Sequence, residues 1–139
     1  MRYLLDTNVV SEPRKPEPSP HVMAWLAATP AADKLISVLT VGELRKGAAQ
    51  LRARGRAVTA AKLDDWIDSA LTTFSDRVIG IDQPIAEHWG RLQSGDPLPA
   101  VDSLIAATAL VHGWTVATRN TRHFERCGVP AVNPFTTRP

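Results

Sequence analysis

Tyr3-Leu4-Leu5-Asp6-Thr7-Asn8 is the stretch from which the fold of this chain can be inferred. Its short apolar run stops at an acid, which predicts a buried strand with Asp6 at its carboxyl end. Similar apolar runs follow at residues 35–38, 78–81 and 114–118, with a shorter one at 131–132. Helical patterns lie between them. Short apolar strands that alternate with helices predict an α/β fold, in which helices cover both faces of a parallel sheet of four to five strands.

Capping residues mark where the predicted helices begin. Ser19 followed by Pro20 is a typical helix start. Thr40 and Glu43 have the spacing of a capping box, which predicts that Thr40 begins another helix. Longer helices are predicted over about residues 40–54, 58–74 and 100–112, and shorter ones after Ser19 and Asp82. Gly113 is expected to end the helix at 100–112, and Met23 and Ala86 are expected on the inward faces of the shorter helices. Prolines predict a first proline loop at residues 13–18 and a second at 95–99.

Length and composition restrict the class of protein. The chain of 139 residues fits one domain, over residues 1–139, and is long enough to bury a core without disulfides. Its one cysteine, Cys127, excludes an internal disulfide and a zinc site built from cysteines. No apolar run approaches the roughly 20 residues that cross a bilayer, and the N-terminal run is too short for a signal peptide. We therefore expect a cytoplasmic protein without a membrane segment.

Four polar residues follow predicted strands or begin the helices after them. Asp6 ends the first strand, Glu43 lies in the first turn after the second, Asp102 begins the helix at residue 100, and Asn120 follows the fourth strand. Active sites of open α/β sheets lie at the carboxyl ends of the strands. Three carboxylates that converge there would repel one another, and a divalent cation would relieve the repulsion. Oxygen ligands without histidine or cysteine suit Mg²⁺ or Mn²⁺.

Each of these acids also has a local explanation that the residues alone leave open. Glu43 can complete the capping box with Thr40, Asp102 can stabilise a helix N-terminus by about 0.3–1 kcal/mol, and Asp6 can cap the turn that follows it. If the acids converge instead, a bound cation activates a water for in-line hydrolysis of a phosphodiester, and an Asp can accept the proton of that water. An aspartyl phosphatase is disfavoured, because Asn8 stands where a second acid is needed.

The ordered motifs of the chain resemble those of PIN-domain ribonucleases, and more narrowly VapC toxins of bacterial toxin–antitoxin modules and their FitB-like members. The motifs are Leu4-Leu5-Asp6-Thr7-Asn8-Val9, Thr40-Val41-Gly42-Glu43-Leu44, residues 100–109 and Val116-Ala117-Thr118-Arg119-Asn120. Residues 9–13 and 132–135 strengthen the FitB-like match. The resemblance implies one PIN domain, a three-layer α/β/α sandwich, with Mg²⁺- or Mn²⁺-dependent endoribonuclease activity.

Carried over by position, the resemblance assigns roles to the polar residues. Asp6, Glu43 and Asp102 would bind the metal, and Asn120 falls where many members have a fourth acid. An amide brings no negative charge, which favours a site with one metal over a site with two. Thr7, Asn8 and Thr118 would hold the acids in place. The alternative is that these residues only form the turn and the strand end.

The resemblance also implies partners. Members usually form homodimers and are held inactive by a cognate VapB- or FitA-like antitoxin, which often extends an Arg into the acidic site. Operator DNA is contacted through the antitoxin. An alternative is a catalytically weak FitB-like protein that acts mainly with its antitoxin in a DNA-bound regulatory complex, and Asn120 is the feature that keeps this alternative open.

Basic residues are unevenly distributed, although the formal net charge is +2. Residues 44–63 contain no acid, and from residue 103 onward Glu125 is the one acid. Such stretches suit binding to phosphates of RNA, with a solvated helix face as the alternative. The candidate RNA contacts are Arg119, Arg122, Arg45 and Lys46. Trp25 and Trp66 are expected in the core or in a groove for the antitoxin.

Overall fold

A five-stranded parallel sheet forms the centre of the molecule, in the order β3-β2-β1-β4-β5. The structure is a computed structural model that describes residues 1–92 and 98–136. The strands are β1 (Tyr3–Leu5), β2 (Lys34–Ser37), β3 (Val78–Ile79), β4 (Thr115–Ala117) and β5 (Ala131–Val132). The predicted α/β fold and its parallel sheet are confirmed, and β1 occupies the central position, so that the residue after it lies in the middle of the carboxyl edge.

Seven α-helices and two short 3₁₀ turns connect the strands within the described residues. The helices are α1 (Thr7–Val10), α2 (Pro20–Ala28), α3 (Val38–Ala53), α4 (Ala57–Thr73), α5 (Gln83–Leu92), α6 (Ala100–His112) and α7 (Thr121–Glu125), and the 3₁₀ turns are Glu12–Arg14 and Ala31–Asp33. Most of the second proline loop, expected at residues 95–99, lies outside the described residues. None of the helices in the described part is long and apolar enough to cross a membrane.

Two hydrophobic cores lie on opposite faces of the sheet, because successive residues of a strand point to opposite sides. Leu5 packs with residues of α1 to α4, whereas its neighbour Leu4 packs with residues of α6 and α7. Ile67 of α4 in the first core and Phe124 of α7 in the second are fully buried. The expected three-layer α/β/α arrangement is therefore confirmed.

The start of α3 differs from the predicted capping box. The cap is Ser37, the last residue of β2, whose Oγ accepts a hydrogen bond from the backbone N of Leu39 at 3.0 Å. Thr40 lies inside the helix and is buried. The prediction that Thr40 begins the helix is wrong, because Ser37 already satisfies an N-terminal backbone donor and the strand passes into the helix without a loop. Glu43 is consequently not a capping partner of Thr40.

Other predicted helix ends agree with the structure. The Ser19 Oγ accepts from the backbone N of Val22 at 3.3 Å, which caps α2. Gly113 ends α6 with φ of 72°, a left-handed conformation that glycine adopts without strain. Met23 and Ala86 were expected to face inward and are exposed.

Candidate active site

Asp6 lies at the centre of the carboxyl edge, where β1 passes directly into α1. Its Oδ1 accepts a hydrogen bond from the backbone N of Thr7 at 2.8 Å. Its Oδ2 accepts from the Thr118 Oγ1 at 2.8 Å and from the Asn8 Nδ2 at 3.4 Å. Asp6 is 5% exposed. A buried acid is thus held in one orientation by the three residues that were predicted to support it.

Glu43 reaches the same edge from α3. Its Oε1 accepts a hydrogen bond from the Thr7 Oγ1 at 2.6 Å, between residues 36 apart in the chain. Thr7 therefore contacts both acids, Asp6 through its backbone and Glu43 through its hydroxyl. The capping alternative for Glu43 does not hold, because its carboxylate bonds to α1 and not to the start of its own helix.

Asp102 lies in the first turn of α6 and faces His123 of α7. The Asp102 Oδ2 and the His123 Nδ1 are 3.7 Å apart. The His123 Nδ1 is buried and has no hydrogen-bond partner among the described residues. The sequence does not predict His123 as a metal ligand, because its histidines lack metal-ligand spacing. The place of His123 three residues after Asn120 points at most to a phosphate contact.

The charges of the other two acids act on Asp6. Burial raises the pKa of Asp6, hydrogen bonds from Thr118 and Thr7 lower it, and the negative charges of Asp102 and Glu43 raise it further. Among residues 1–92 and 98–136, no three His, Cys, Asp or Glu side chains form a group that could hold a metal ion as they stand. In this arrangement Glu43 is bonded to Thr7 and Asp102 faces His123.

The segment after β4 is attached to the acidic site by its backbone. The backbone N of Asn120 donates to the Thr118 Oγ1 at 3.0 Å, and the backbone N of Arg119 donates to the Asn8 Oδ1 at 3.1 Å. Asn8 thereby bridges Asp6 and Arg119. The Asn120 side chain is exposed and has no hydrogen bond with the part of the chain that the structure describes.

The predicted RNA-binding cations fall into two groups. Arg119 and Arg122 line a cavity of about 270 Å³ together with Asn120, Thr121 and His123. Arg45 instead forms salt bridges with two acids of α4, Asp64 at 2.8 Å and Asp68 at 2.5 Å. The acid-free stretch is thus partly neutralised by acids of the next helix, and Arg45 is not a free cation. Lys46 is exposed.

Glu12 is a buried acid that lies outside the predicted set of site residues. It is 3% exposed, and its Oε2 accepts a hydrogen bond from the backbone N of Ser19 at 2.8 Å. Its Oε1 forms an ion pair with the Lys15 Nζ at 2.9 Å. Lys15 and Ser19 lower the pKa of Glu12 and keep it ionised. Its contacts hold the first proline loop against α2.

An apolar groove lies beside the site, with a volume of about 330 Å³. It is formed by side chains of β1, α1, α2, α4 and the first proline loop, among them Leu5, Val10, Pro13, Leu26, Trp66 and Phe74. Trp66 belongs to this groove, whereas Trp25 is 8% exposed and lies in the core.

Known proteins resemble the chain over nearly all of its length. Residues 3–129 match the model of the PIN domain. The chain is 39% identical over 138 residues to Toxin FitB of Neisseria gonorrhoeae, covering 95% of this chain and 97% of that protein. It is 37% identical over 138 residues to VapC ribonuclease Y4jK of Sinorhizobium fredii, covering 95% and 96%. A solved structure of FitAB bound to a DNA fragment superposes with a TM-score of 0.83 at 36% identity, covering 99% of this chain and 98% of that one.

The match extends beyond a single motif. The residues that correspond to the PIN-domain model include strands β1 to β4 and all three acids, Asp6, Glu43 and Asp102. The family match, the sequence identities and the superposition therefore agree. The chain belongs to the PIN-domain family, in the group that contains Toxin FitB and the VapC ribonucleases.

Proposed function

We propose that this protein is the toxin of a toxin–antitoxin pair and is an endoribonuclease that hydrolyses phosphodiester bonds of RNA. The observation that carries the proposal is the buried Asp6, held by three donors after the central strand, with the charges of Glu43 and Asp102 acting on it. Membership of the PIN-domain family and the names of two relatives, a toxin and a VapC ribonuclease, support it.

A divalent cation, Mg²⁺ or Mn²⁺, suits the acids by its chemistry. The candidate ligands Asp6, Glu43 and Asp102 are all carboxylates, which these cations prefer. Burial and the charges of Asp102 and Glu43 raise the pKa of Asp6, so a cation would relieve an unfavourable interaction that is already present. When bound, the cation would lower the pKa of a water and stabilise the charge that develops on the phosphate.

The neighbours of Asp6 favour its ionised form, which is the form that binds a cation. Donors from Thr118 and Thr7 favour the ionised carboxylate and oppose the effect of burial. Because Thr7 also bonds to Glu43, a displacement of α1 would move both acids together. Thr7, Asn8 and Thr118 are therefore proposed to orient the acids, as outer partners of metal ligands generally do.

The RNA strand is proposed to lie along the cavity next to the acids. Arg119 and Arg122 line this cavity, and both guanidinium groups suit phosphate oxygens. Lys46 is exposed on α3 three residues after Glu43 and is a further candidate. Arg45 is excluded from the proposed contacts, because its ion pairs with Asp64 and Asp68 occupy it.

The apolar groove is proposed to bind the cognate antitoxin, of the VapB or FitA kind. One structural relative was solved as FitAB bound to a DNA fragment. This supports a partner chain for this protein. Trp66 and Phe74 give the groove aromatic walls, and an apolar segment of the antitoxin would cover them. The groove shares Leu5 and Val10 with the elements that flank Asp6, so its occupant lies close to the active site.

A regulatory complex on DNA is a second candidate role. The FitAB relative was solved with a DNA fragment, and Asn120 lacks the charge that a fourth acid would bring. DNA contact is proposed to occur through the antitoxin. This role is compatible with ribonuclease activity, and becomes the main one only if the antitoxin-free protein does not cleave RNA.

The proposed activity is tested by incubating purified, antitoxin-free protein with total RNA. We expect cleavage with Mg²⁺ or Mn²⁺ and none with EDTA, because the acids lose the cation that activates water. Adding the metal to metal-free protein should also raise its melting temperature, since a ligand of the folded state stabilises it. Equal cleavage in EDTA would refute the metal dependence, and no cleavage of any RNA would favour the regulatory role.

Removal of the Thr118 hydroxyl should weaken catalysis without unfolding the protein. Thr118→Val keeps the buried shape but deletes the donor to Asp6 at 2.8 Å. We expect the rate of RNA cleavage to fall by about 10- to 100-fold, the range for outer partners of metal ligands. Thr118→Ser retains the hydroxyl and serves as the control. A Val variant with the wild-type rate and metal affinity would show that Asp6 does not depend on this contact.

A further inference from the structure

The guanidinium group of Arg119 lies over the ring of Phe135, with 3.7 Å between its Cζ and the ring centroid. Phe135 is half-buried in a turn that follows β5. The backbone N of Phe135 donates to the Asn133 Oδ1 at 2.9 Å, and that of Thr136 donates to the Asn133 O at 3.2 Å. Pro134 between them is buried. The ring is therefore part of an ordered turn and not of a loose chain end.

The backbone of Arg119 is fixed independently of its side chain. Its N donates to the Asn8 Oδ1, and Asn8 in turn donates to the Asp6 Oδ2. The preceding residue, Thr118, also bonds to Asp6. Arg119 is thus attached to the acidic site at one end and to the Phe135 ring at the other, which restricts a side chain that otherwise loses much rotational freedom when it binds a ligand.

The charge of Arg119 remains available in this arrangement. Within residues 1–92 and 98–136 its guanidinium takes part in no salt bridge, although its positive charge acts at longer range on Glu12 and lowers the pKa of that acid. A ring that covers one face of a guanidinium leaves its N–H donors in the plane of the group uncovered. Those donors belong to a residue that lines the same cavity as His123, which faces Asp102. They match the paired oxygens of a phosphate.

We propose that Phe135 is a positioning residue, which holds the Arg119 guanidinium in place to bind a phosphate of the RNA strand next to the cleaved bond. This proposal rests on the proposed ribonuclease function and deepens it. The aromatic face of Phe135 acts through Arg119 and does not itself contact the substrate. Loss of the ring therefore weakens RNA binding only while Arg119 is present.

A double-mutant cycle tests this dependence. The binding of a fluorescently labelled single-stranded RNA is measured by anisotropy in EDTA for the wild-type chain, Phe135→Leu, Arg119→Ala and the double variant. We expect Phe135→Leu to weaken binding by about 2- to 5-fold, the scale of an exposed cation–π contact. Arg119→Ala should weaken it further and lower the slope of log affinity against log salt by about 0.7, the value for one contact to a single strand. In the Arg119→Ala background, Phe135→Leu should have no further effect.

Control variants separate positioning from folding. Phe135→Tyr keeps the aromatic face and should retain wild-type affinity, whereas Phe135→Met should behave like Phe135→Leu. Arg2→Ala removes an exposed cation before β1, at the edge of the sheet opposite to Asp6, and should leave the salt slope unchanged. Melting temperatures report whether each variant folds. In cleavage assays, Phe135→Leu should raise KM more than it lowers kcat.

The outcomes distinguish this proposal from the proposed activity. Equal weakening by Phe135→Leu with and without Arg119 would overturn the positioning role, as would unchanged binding by the folded Leu and Met variants. Either result leaves metal-dependent cleavage intact. Conversely, a protein that shows the coupled binding but cleaves no RNA would contradict the ribonuclease function while supporting the phosphate contact.

Discussion

Asp6→Asn is expected to lower the rate of RNA cleavage by more than about 100-fold, since outer partners of metal ligands alone account for 10- to 100-fold. Asp6 is the buried acid of the site, and an amide removes its negative charge while nearly keeping its shape. Asparagine is also a good helix cap, so the start of α1 should persist. Gel-based cleavage of RNA with Mg²⁺ or Mn²⁺ measures the effect.

The same substitution should change how stability depends on pH. Burial raises the pKa of Asp6 above the ordinary value of 3.8, so the folded protein holds this proton more tightly than the unfolded chain. Stability from a raised pKa is present at low pH and is lost as the pH rises through it. The amide has no such loss, so the free energy of unfolding of Asp6→Asn should improve relative to wild type as the pH rises from about 4 through the raised pKa of Asp6.

Two comparisons make this result decisive. Asp65→Asn removes an exposed acid of α4 and should alter neither cleavage nor the pH dependence of unfolding. Unfolding is measured by denaturant titration in EDTA at several pH values, so that metal binding does not contribute. A stability difference that stays constant with pH would show that Asp6 is not destabilised by its burial. Undiminished cleavage by Asp6→Asn would remove Asp6 from the active site.

Ala70→Glu is the second substitution with a large expected effect, this time on the antitoxin. Ala70 is half-buried on α4 and lines the apolar groove with Trp66 and Phe74. A carboxylate there would be covered by the antitoxin without an opposite charge, which is costly. We expect the affinity for the cognate antitoxin to fall by about 100-fold or more, while RNA cleavage by the free toxin is retained. Titration calorimetry measures the affinity, and growth after co-expression measures neutralisation by the antitoxin. The gel-based assay measures RNA cleavage by the free toxin.

A matched control lies on the same helix. Ala61→Glu adds the same charge at an exposed position of α4 that does not line the groove. It should bind the antitoxin as wild type does. If Ala70→Glu also binds normally, the antitoxin docks elsewhere. If both variants lose binding equally, the general charge of α4 matters and the groove does not.

Much of the fold could be predicted from local patterns. The apolar pair Leu4-Leu5 predicts a buried strand, and the structure places one residue in each core. The left-handed end of α6 at Gly113 was likewise visible in the sequence. The start of α3 was not, because Ser37 and Thr40 are both good caps, and the one at the end of β2 takes that position.

The candidate site also has features that the sequence predicts and features that it does not. The prediction that Asp6, Glu43 and Asp102 lie at one edge follows from parallel strands, whose carboxyl ends share that edge. The pairing of Arg45 with Asp64 and Asp68 could not be predicted, because it depends on how α3 packs against α4.

The sequence by itself therefore determined the order of strands and helices and the edge of the sheet at which the acids lie, because these depend on residues close together in the chain. The tertiary structure decided which partner each polar side chain takes. Thr7 meets Glu43 across 36 residues, and Asp6 meets Thr118 across 112. Such contacts form only when packing of the two cores brings distant segments together, and no local pattern encodes the final distance. The contact with Thr118 holds Asp6 in place, and the hydrogen bond from the Arg119 N to Asn8 attaches Arg119 to the site.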